Sequence, residues 1–126
     1  MLMKEKRKFV RVNKLLNVTY RIPGENPREG KSLTQNISGG GFRFMINEGL
    51  EVGTLLEVEI ALPDALEPIL AKGRVAWIEK LQMDSDPGGD YFEAGVNFEE
   101  IGSVEKSRIF SFVYESVKAR AGKKTF

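Results

Sequence analysis

The chain has 126 residues, which suits one domain with a single core. Hydrophobic residues make up 41% and charged residues 29%, and no run reaches the roughly 20 apolar residues that a membrane span needs. Cysteine and histidine are absent, which excludes disulfides, thiolate chemistry and the commonest general base. Phosphate-loop, nucleophile-elbow and calcium-loop motifs are also missing, so we expect neither an enzyme nor a metal or cofactor site.

Basic residues are concentrated at the two ends of the chain. Residues 1–11 hold five basic and one acidic residue, and residues 118–126 hold four basic and no acidic residue. Residues 12–117 hold ten basic and 17 acidic residues, so a basic arm precedes an acidic body. This distribution favours a small anionic ligand over duplex nucleic acid, which requires a broad basic face on the domain itself. The alternative is that both ends are simply solvated tails.

Residues 1–14 show little apolar periodicity, because Phe9, Val10 and Val12 stand among charges. We therefore expect a basic N-terminal arm that nothing pins to the rest of the domain. The first three residues lead directly into charges, so no apolar segment of a signal peptide is present. Together with the absence of cysteine, this fits a cytoplasmic protein.

Six segments are predicted as strands, and four of them, residues 15–22, 42–46, 56–62 and 92–98, alternate apolar and polar side chains with the period of two that is typical of half-buried strands. The six segments span residues 15–22, 31–37, 42–46, 56–62, 69–78 and 92–98. Their roughly even spacing predicts a mainly β fold, in which residues 15–100 form a six-stranded antiparallel barrel. Closure of the barrel would also remove exposed strand edges.

A helix is predicted after the last strand, within residues 101–126, which also include a basic tail. Ile109, Val113 and Val117 repeat every four residues, and Ser103 is the expected N-cap. The apolar stripe is most simply part of the core, and its alternative is the seam of a homodimer.

Two short motifs stand out from this framework. Arg7 and Arg11 form an R-x-x-x-R in the arm, and Asn36, Ser38 and Gly41 form an N-x-S-x-x-G at the turn between the second and third strands. Arginine presents a planar fork of donors that suits a phosphate or the O6/N7 edge of guanine. Glycine lets a ligand approach the backbone closely. In this order, the two motifs resemble those of the PilZ domain.

The resemblance extends beyond the two motifs, to residues 73–78 and 95–98, and covers about residues 5–100. It implies a PilZ-type barrel that binds the bacterial second messenger cyclic di-GMP. It also implies that Arg7 and Arg11 clasp guanine and phosphate, and that the turn residues Asn36, Ser38 and Gly41 face the ligand from the barrel side.

Other residues near these motifs are secondary candidates. Lys6 stands where many PilZ domains have a further arginine, and it keeps the charge but lacks the fork. Gly39 and Gly40 can offer unobstructed N–H groups to a ligand. Trp77 could stack on a base, although a lone tryptophan is more often a core anchor. Arg74 is more simply an exposed charge on a strand.

The leading hypothesis is a non-enzymatic cyclic di-GMP receptor whose arm changes conformation on binding and signals to an unidentified downstream protein. The alternative is a PilZ-like interaction adaptor that binds no nucleotide, but such adaptors lack the arginines and turn residues present here. An oligonucleotide-binding barrel is disfavoured by the acidic body. No duplex nucleic acid or membrane span is expected, and the chain is expected to be a monomer or a homodimer.

Overall fold

The computed structural model describes residues 10–63, 65–81 and 90–122, with side chains as far as Ala119. This part of the chain contains six strands followed by one helix. They are β1 (Asn17–Ile22), β2 (Arg28–Ser38), β3 (Gly41–Ile46), β4 (Leu55–Ile60), β5 (Ile69–Leu81), β6 (Tyr91–Ile101) and α1 (Ser103–Gly122). The predicted mainly β fold with a C-terminal helix is confirmed.

The strands close into a barrel in the order β1-β2-β3-β6-β5-β4, with antiparallel pairing throughout. β3 therefore lies between β2 and β6, and the short turn after β2 lies beside the last strand. Register shifts occur on β2 between Thr34 and Asn36, on β5 between Val75 and Trp77, and on β6 between Phe98 and Glu100. Such shifts bend a strand and help a small sheet to close.

The side chains that point inward from the strands fill the barrel and form its core. Their regular spacing along the chain is what made four of the six strands predictable. The members with no exposed surface include Ile37, Phe44, Leu56, Ile60 and Ile69. Phe44 packs edge-on against Tyr20, with ring centroids 5.5 Å apart. Burial and the Glu48 carboxylate, to which the Tyr20 hydroxyl donates at 2.8 Å, raise the pKa of Tyr20 well above its usual range.

The end of the N-terminal arm is fastened to β2, so the expectation that nothing pins residues 1–14 is wrong at Val12. The Val12 side chain is 2% exposed, and its backbone exchanges two hydrogen bonds of 3.0 Å with Ile37. Thr34 adds a second attachment, since its hydroxyl donates to the Lys14 carbonyl at 2.6 Å and accepts from the Leu16 amide at 2.9 Å. Residues 1–9 lie outside the described residues.

Helix α1 closes one side of the barrel and packs against β2 and β5. Ile109 and Val113 are 0% and 6% exposed and belong to the core, so the predicted apolar stripe faces the barrel rather than a dimer seam. Ser103 is the first helical residue, and the carbonyl of Gly102 accepts the first helical hydrogen bond from Lys106. The cap therefore falls one residue earlier than predicted.

Candidate functional site

A cleft of about 290 Å³ opens on the outer surface of the barrel beside the turn that joins β2 to β3. The cleft is formed by residues of β2, β3, β5 and β6 together with one residue of the arm. Its lining consists of Arg11, Asn36, Ser38, Gly40, Gly41, Phe42, Arg43, Trp77, Gly95, Val96 and Asn97. Four residues of the two predicted motifs, Arg11, Asn36, Ser38 and Gly41, are thus brought together in one place.

Ser38 shapes the turn through its side chain. The Ser38 hydroxyl accepts a hydrogen bond from the Gly40 amide at 3.1 Å and lies 3.4 Å from the Gly41 carbonyl oxygen, to which it donates. Both Ser38 and Asn36 are buried, at 5% and 7% exposure, although they line the cleft. Buried polar side chains at the base of a cleft can form hydrogen bonds that solvent does not compete for strongly.

Gly41 is required by close packing between β3 and β6. A Cβ built on Gly41 would overlap the carbonyl oxygen of Val96. The φ angle of Gly41 is +158°, which residues with a side chain rarely adopt, so backbone conformation and steric overlap both account for the glycine. The absence of a side chain keeps the turn against β6 and leaves its backbone accessible at the cleft.

Arg11 reaches the cleft because the bridge between Val12 and Ile37 is antiparallel. Antiparallel pairing places the residue before Val12 beside the residue after Ile37, which is Ser38. Arg11 is exposed and lines the cleft at this point. The first arginine of the motif, Arg7, and the neighbouring Lys6 lie outside the described residues.

Trp77 lines the cleft as well, and its prediction as a core anchor is wrong. Its side chain is 38% exposed on β5. In register, Trp77 pairs with Gly95 of β6, and a Cβ at Gly95 would overlap the Nε1 atom of the indole. Gly95 therefore allows the indole to lie across β6, where its ring is available to a planar ligand.

Two polar residues of the cleft were not anticipated by sequence. Arg43 pairs with Gly95 from β3, and Asn97 pairs with Gly41 from β6. The Arg43 Nε atom is buried without a hydrogen-bond partner and lies 3.4 Å from a carboxylate oxygen of Glu93. The signal available in the sequence was the position of Arg43, two residues after Gly41 on the same face of the strand.

Two secondary candidates are not among the residues that line the cleft. The Arg74 guanidinium donates to Glu99 at 2.5 Å and to the Gly53 carbonyl at 2.9 Å, so the prediction of an exposed strand charge is confirmed. Gly39 lies under the helix instead, where an added Cβ would stand 2.5 Å from Cε1 of Phe110.

Neither a metal cluster nor a membrane helix is found in the described part of the chain. No group of three or more His, Cys, Asp or Glu side chains there could hold a metal ion. No helix among the same residues combines the length and the apolar character needed to cross a bilayer.

The arrangement of an arm arginine beside an N-x-S-x-x-G turn, on a six-stranded barrel, agrees with a comparison against protein families. The family model of the PilZ domain matches residues 5–115. The chain belongs to the PilZ family. The expectation drawn from the two motifs is therefore confirmed at the level of the family. A comparison with curated proteins gives no match.

Solved PilZ structures share the fold of this chain at low sequence identity. The PilZ domain of YcgR from Escherichia coli, solved with cyclic di-GMP, has a TM-score of 0.70 and 11% identity over 97% of this chain and 100% of that one. A complex of K. pneumonia MrkH with cyclic di-GMP has a TM-score of 0.75 and 18% identity over 96% of this chain. The Bacillus subtilis inhibitor of motility MotI/DgrA has a TM-score of 0.72 and 20% identity over 98% of this chain.

The length of the chain differs from that of two of these proteins. It spans 55% of MotI/DgrA and 57% of MrkH, but the whole of the YcgR PilZ domain. The likeness to these structures therefore concerns the barrel and its helix.

Proposed function

We propose that this PilZ domain is a cytoplasmic, non-enzymatic receptor for cyclic di-GMP. The observation that carries the proposal is the convergence of Arg11, Asn36, Ser38 and Gly41 on one cleft. Structures of YcgR and MrkH have been solved with cyclic di-GMP, which supports the same ligand for this chain.

The chemistry of the cleft suits this ligand. Cyclic di-GMP carries two guanines and two phosphates, so it offers both a planar surface and negative charge. Arg11 can donate to a phosphate or to a guanine edge, and the buried hydroxyl of Ser38 and amide of Asn36 can engage polar groups from below. Trp77 adds an exposed indole on which a base can stack. Ligand-binding roles are thus assigned to these four side chains and to the backbone at Gly41.

In this proposal, Arg7 completes the binding of the ligand from the arm of residues 1–14. Because Val12 is already paired with Ile37, ligand binding changes the arm N-terminal to Val12 rather than the whole segment. The changed surface is then offered to a downstream protein. Since a ligand shifts a conformational equilibrium only through differential contacts, the contacts of Arg7 with the ligand drive this change.

The direct test of ligand identity is isothermal titration of the purified chain with cyclic di-GMP, with GTP and cyclic GMP as controls. We expect saturable binding of cyclic di-GMP and none of the controls at the same concentrations. If cyclic di-GMP gives no heat and no shift in thermal unfolding, the receptor assignment is wrong.

The arm mechanism has its own test, amide hydrogen exchange with and without cyclic di-GMP. Val12 and Ile37 are expected to be protected in both states, because their backbone hydrogen bonds exist without ligand. New protection is expected before Val12 and in the turn of residues 36–41. Equal exchange of residues 5–11 in both states would contradict the arm mechanism while leaving the ligand assignment intact.

A further inference from the structure

The arginines of the described residues fall into two groups. Six have described side chains, and four of these donate hydrogen bonds to protein acceptors: Arg21 to Glu57, Arg28 to Glu48, Arg74 to Glu99 and Arg108 to the Glu67 carbonyl. The other two, Arg11 and Arg43, donate to no described residue, and both line the cleft. Arg11 belongs to a motif, whereas Arg43 does not.

The guanidinium of Arg43 lies beside one carboxylate, that of Glu93, without a hydrogen bond to it. The Arg43 side chain is 36% exposed, and its buried Nε atom lies 3.4 Å from Glu93 without hydrogen-bond geometry. The rest of the guanidinium donates no hydrogen bond to a described residue and lines the cleft, so it can donate to a ligand there.

Trp77 lies on the other side of Gly95 from Arg43. Arg43 and Trp77 are the register partners of Gly95 on its two neighbouring strands. With strands about 4.8 Å apart, their Cα atoms are separated by roughly 10 Å. The indole crosses this space because Gly95 has no side chain to block it. The indole of Trp77 and the guanidinium of Arg43 therefore belong to residues on either side of the same glycine, Gly95.

From this juxtaposition we propose that Arg43 is the base-selecting residue of the site and that it recognises guanine on the face of the barrel, beside the stacking surface of Trp77. This inference rests on the proposed function and adds to it a residue outside the two motifs. Guanine presents the O6 and N7 acceptors to an arginine fork, whereas adenine presents an amino group that would oppose a donor. Stacking on the indole does not distinguish the two bases, because every base has a π-face.

Substitutions at three positions separate base selection from stacking. Cyclic di-GMP and cyclic di-AMP are titrated into the unaltered chain and into Arg43→Gln, Trp77→Ala and Arg74→Gln. The unaltered chain is expected to prefer cyclic di-GMP. Arg43→Gln is expected to lose about 5- to 150-fold in affinity for cyclic di-GMP and to shift its preference towards cyclic di-AMP, since glutamine pairs with adenine.

The other two variants serve as matched controls. Trp77→Ala is expected to weaken both nucleotides by a similar factor, leaving their ratio unchanged. Arg74→Gln, which removes an arginine already bonded to Glu99, is expected to change neither affinity. Thermal unfolding of each variant checks that the barrel is folded.

The outcomes distinguish this inference from the proposed function. If the unaltered chain binds neither nucleotide, the receptor assignment fails and this inference fails with it. If the chain binds cyclic di-GMP but Arg43→Gln keeps the parent's ratio of affinities, Arg43 does not select the base and only this inference is overturned. Equal affinity of the unaltered chain for both nucleotides overturns it as well.

Discussion

Two faces of the barrel use charged residues in opposite ways. Across β2, β1, β4, β5 and β6, five residues that are neighbours in register alternate in charge: Glu29, Arg21, Glu57, Lys72 and Glu100. We refer to these five residues as the charge row. Arg21 and Glu57 are 2.6 Å apart, and Lys72 and Glu100 are 3.5 Å apart. Each charge of the row stands beside an opposite one, which supports the pairing of the strands.

The cleft face carries one ion pair among the described residues, between Arg43 and Glu93 at 3.4 Å. Arg11 and Arg43 donate to no described residue, and Trp77 keeps 38% of its surface exposed beside Gly95. Its donors and its aromatic face are therefore available to a molecule from outside.

The two surfaces also differ in size. The groove over the charge row measures about 770 Å³, against about 290 Å³ for the cleft. In the larger groove, cross-strand pairing already engages most of the charges. The smaller cleft holds four of the motif residues together with Arg43, which is paired with Glu93 but donates no hydrogen bond to a described residue. Under the proposed function, unused hydrogen-bonding capacity rather than volume marks the ligand site.

The largest expected effect comes from removing the packing that holds the cleft together. In Gly41→Val, the new side chain would overlap the Val96 carbonyl and separate β3 from β6. We expect a loss of about 1–3 kcal/mol or more in unfolding free energy and loss of cyclic di-GMP binding. Denaturant unfolding and titration calorimetry measure the two effects.

The matched control for this change is Gly49→Ala. Its added Cβ would lie 3.6 Å from the Phe92 ring, an ordinary contact, so stability and binding should remain close to those of the parent. A Gly41→Val protein that folds and binds normally would show that the turn does not shape the cleft.

The next effect sharpens the contrast between arginines on the two faces. Arg11→Ala is expected to weaken cyclic di-GMP binding by about 5- to 150-fold with little change in stability, because its side chain is exposed. Arg7→Ala is expected to behave in the same way. Arg21→Ala removes a partly exposed ion pair of the charge row, so stability should fall by at most about 1 kcal/mol and affinity should not change. If Arg21→Ala weakened cyclic di-GMP binding and Arg11→Ala did not, the ligand would bind on the charge-row face.

The smallest effect concerns hydroxyls on a single strand. Ser38→Ala removes the acceptor of the Gly40 amide, and it is expected to cost about 0.5–1.5 kcal/mol in stability with a modest loss of affinity. Asn36→Ala should likewise weaken binding modestly. Ser32 lies on the same strand and donates to the Met45 carbonyl, away from the cleft, so Ser32→Ala should reduce stability alone. If Ser32→Ala and Ser38→Ala bound cyclic di-GMP with the same affinity, Ser38 would not be a ligand-binding residue.

Local sequence predicts the elements because most of them reflect a local period. Alternation identified four of the six strands, and the four-residue repeat identified α1 with Ile109 and Val113 inside. The strand ends were less predictable. β5 continues to Leu81, beyond the predicted end at Ile78. Its pairing with β6 extends to the pair Leu81 and Tyr91, past the residues whose pattern predicted the strand.

The cleft was only half predictable, for a reason of topology. Alternation tells which face Arg43 and Asn97 occupy, but it does not reveal that β3 lies next to β6. Trp77 was misjudged for a related reason. The exposure of the Trp77 side chain depends on Gly95 of a neighbouring strand. Because Gly95 has no side chain, the indole lies on an open surface and not in a pocket. Likewise, the attachment of Val12 depends on a bridge to Ile37, far along the chain.

That bridge turns the first arginine of the motif into a tethered group. Arg7 precedes Val12 by five residues, and a chain of this length spans at most about 18 Å. If Arg7 binds the ligand as proposed, this tether sets its effective concentration at the cleft on the order of millimolar. Once Arg11 and the turn hold a cyclic dinucleotide, contact with Arg7 is an intramolecular step. Lengthening the segment between Arg7 and Val12 would lower the effective concentration of Arg7 at the cleft, and so weaken binding, without altering any contact in the bound state.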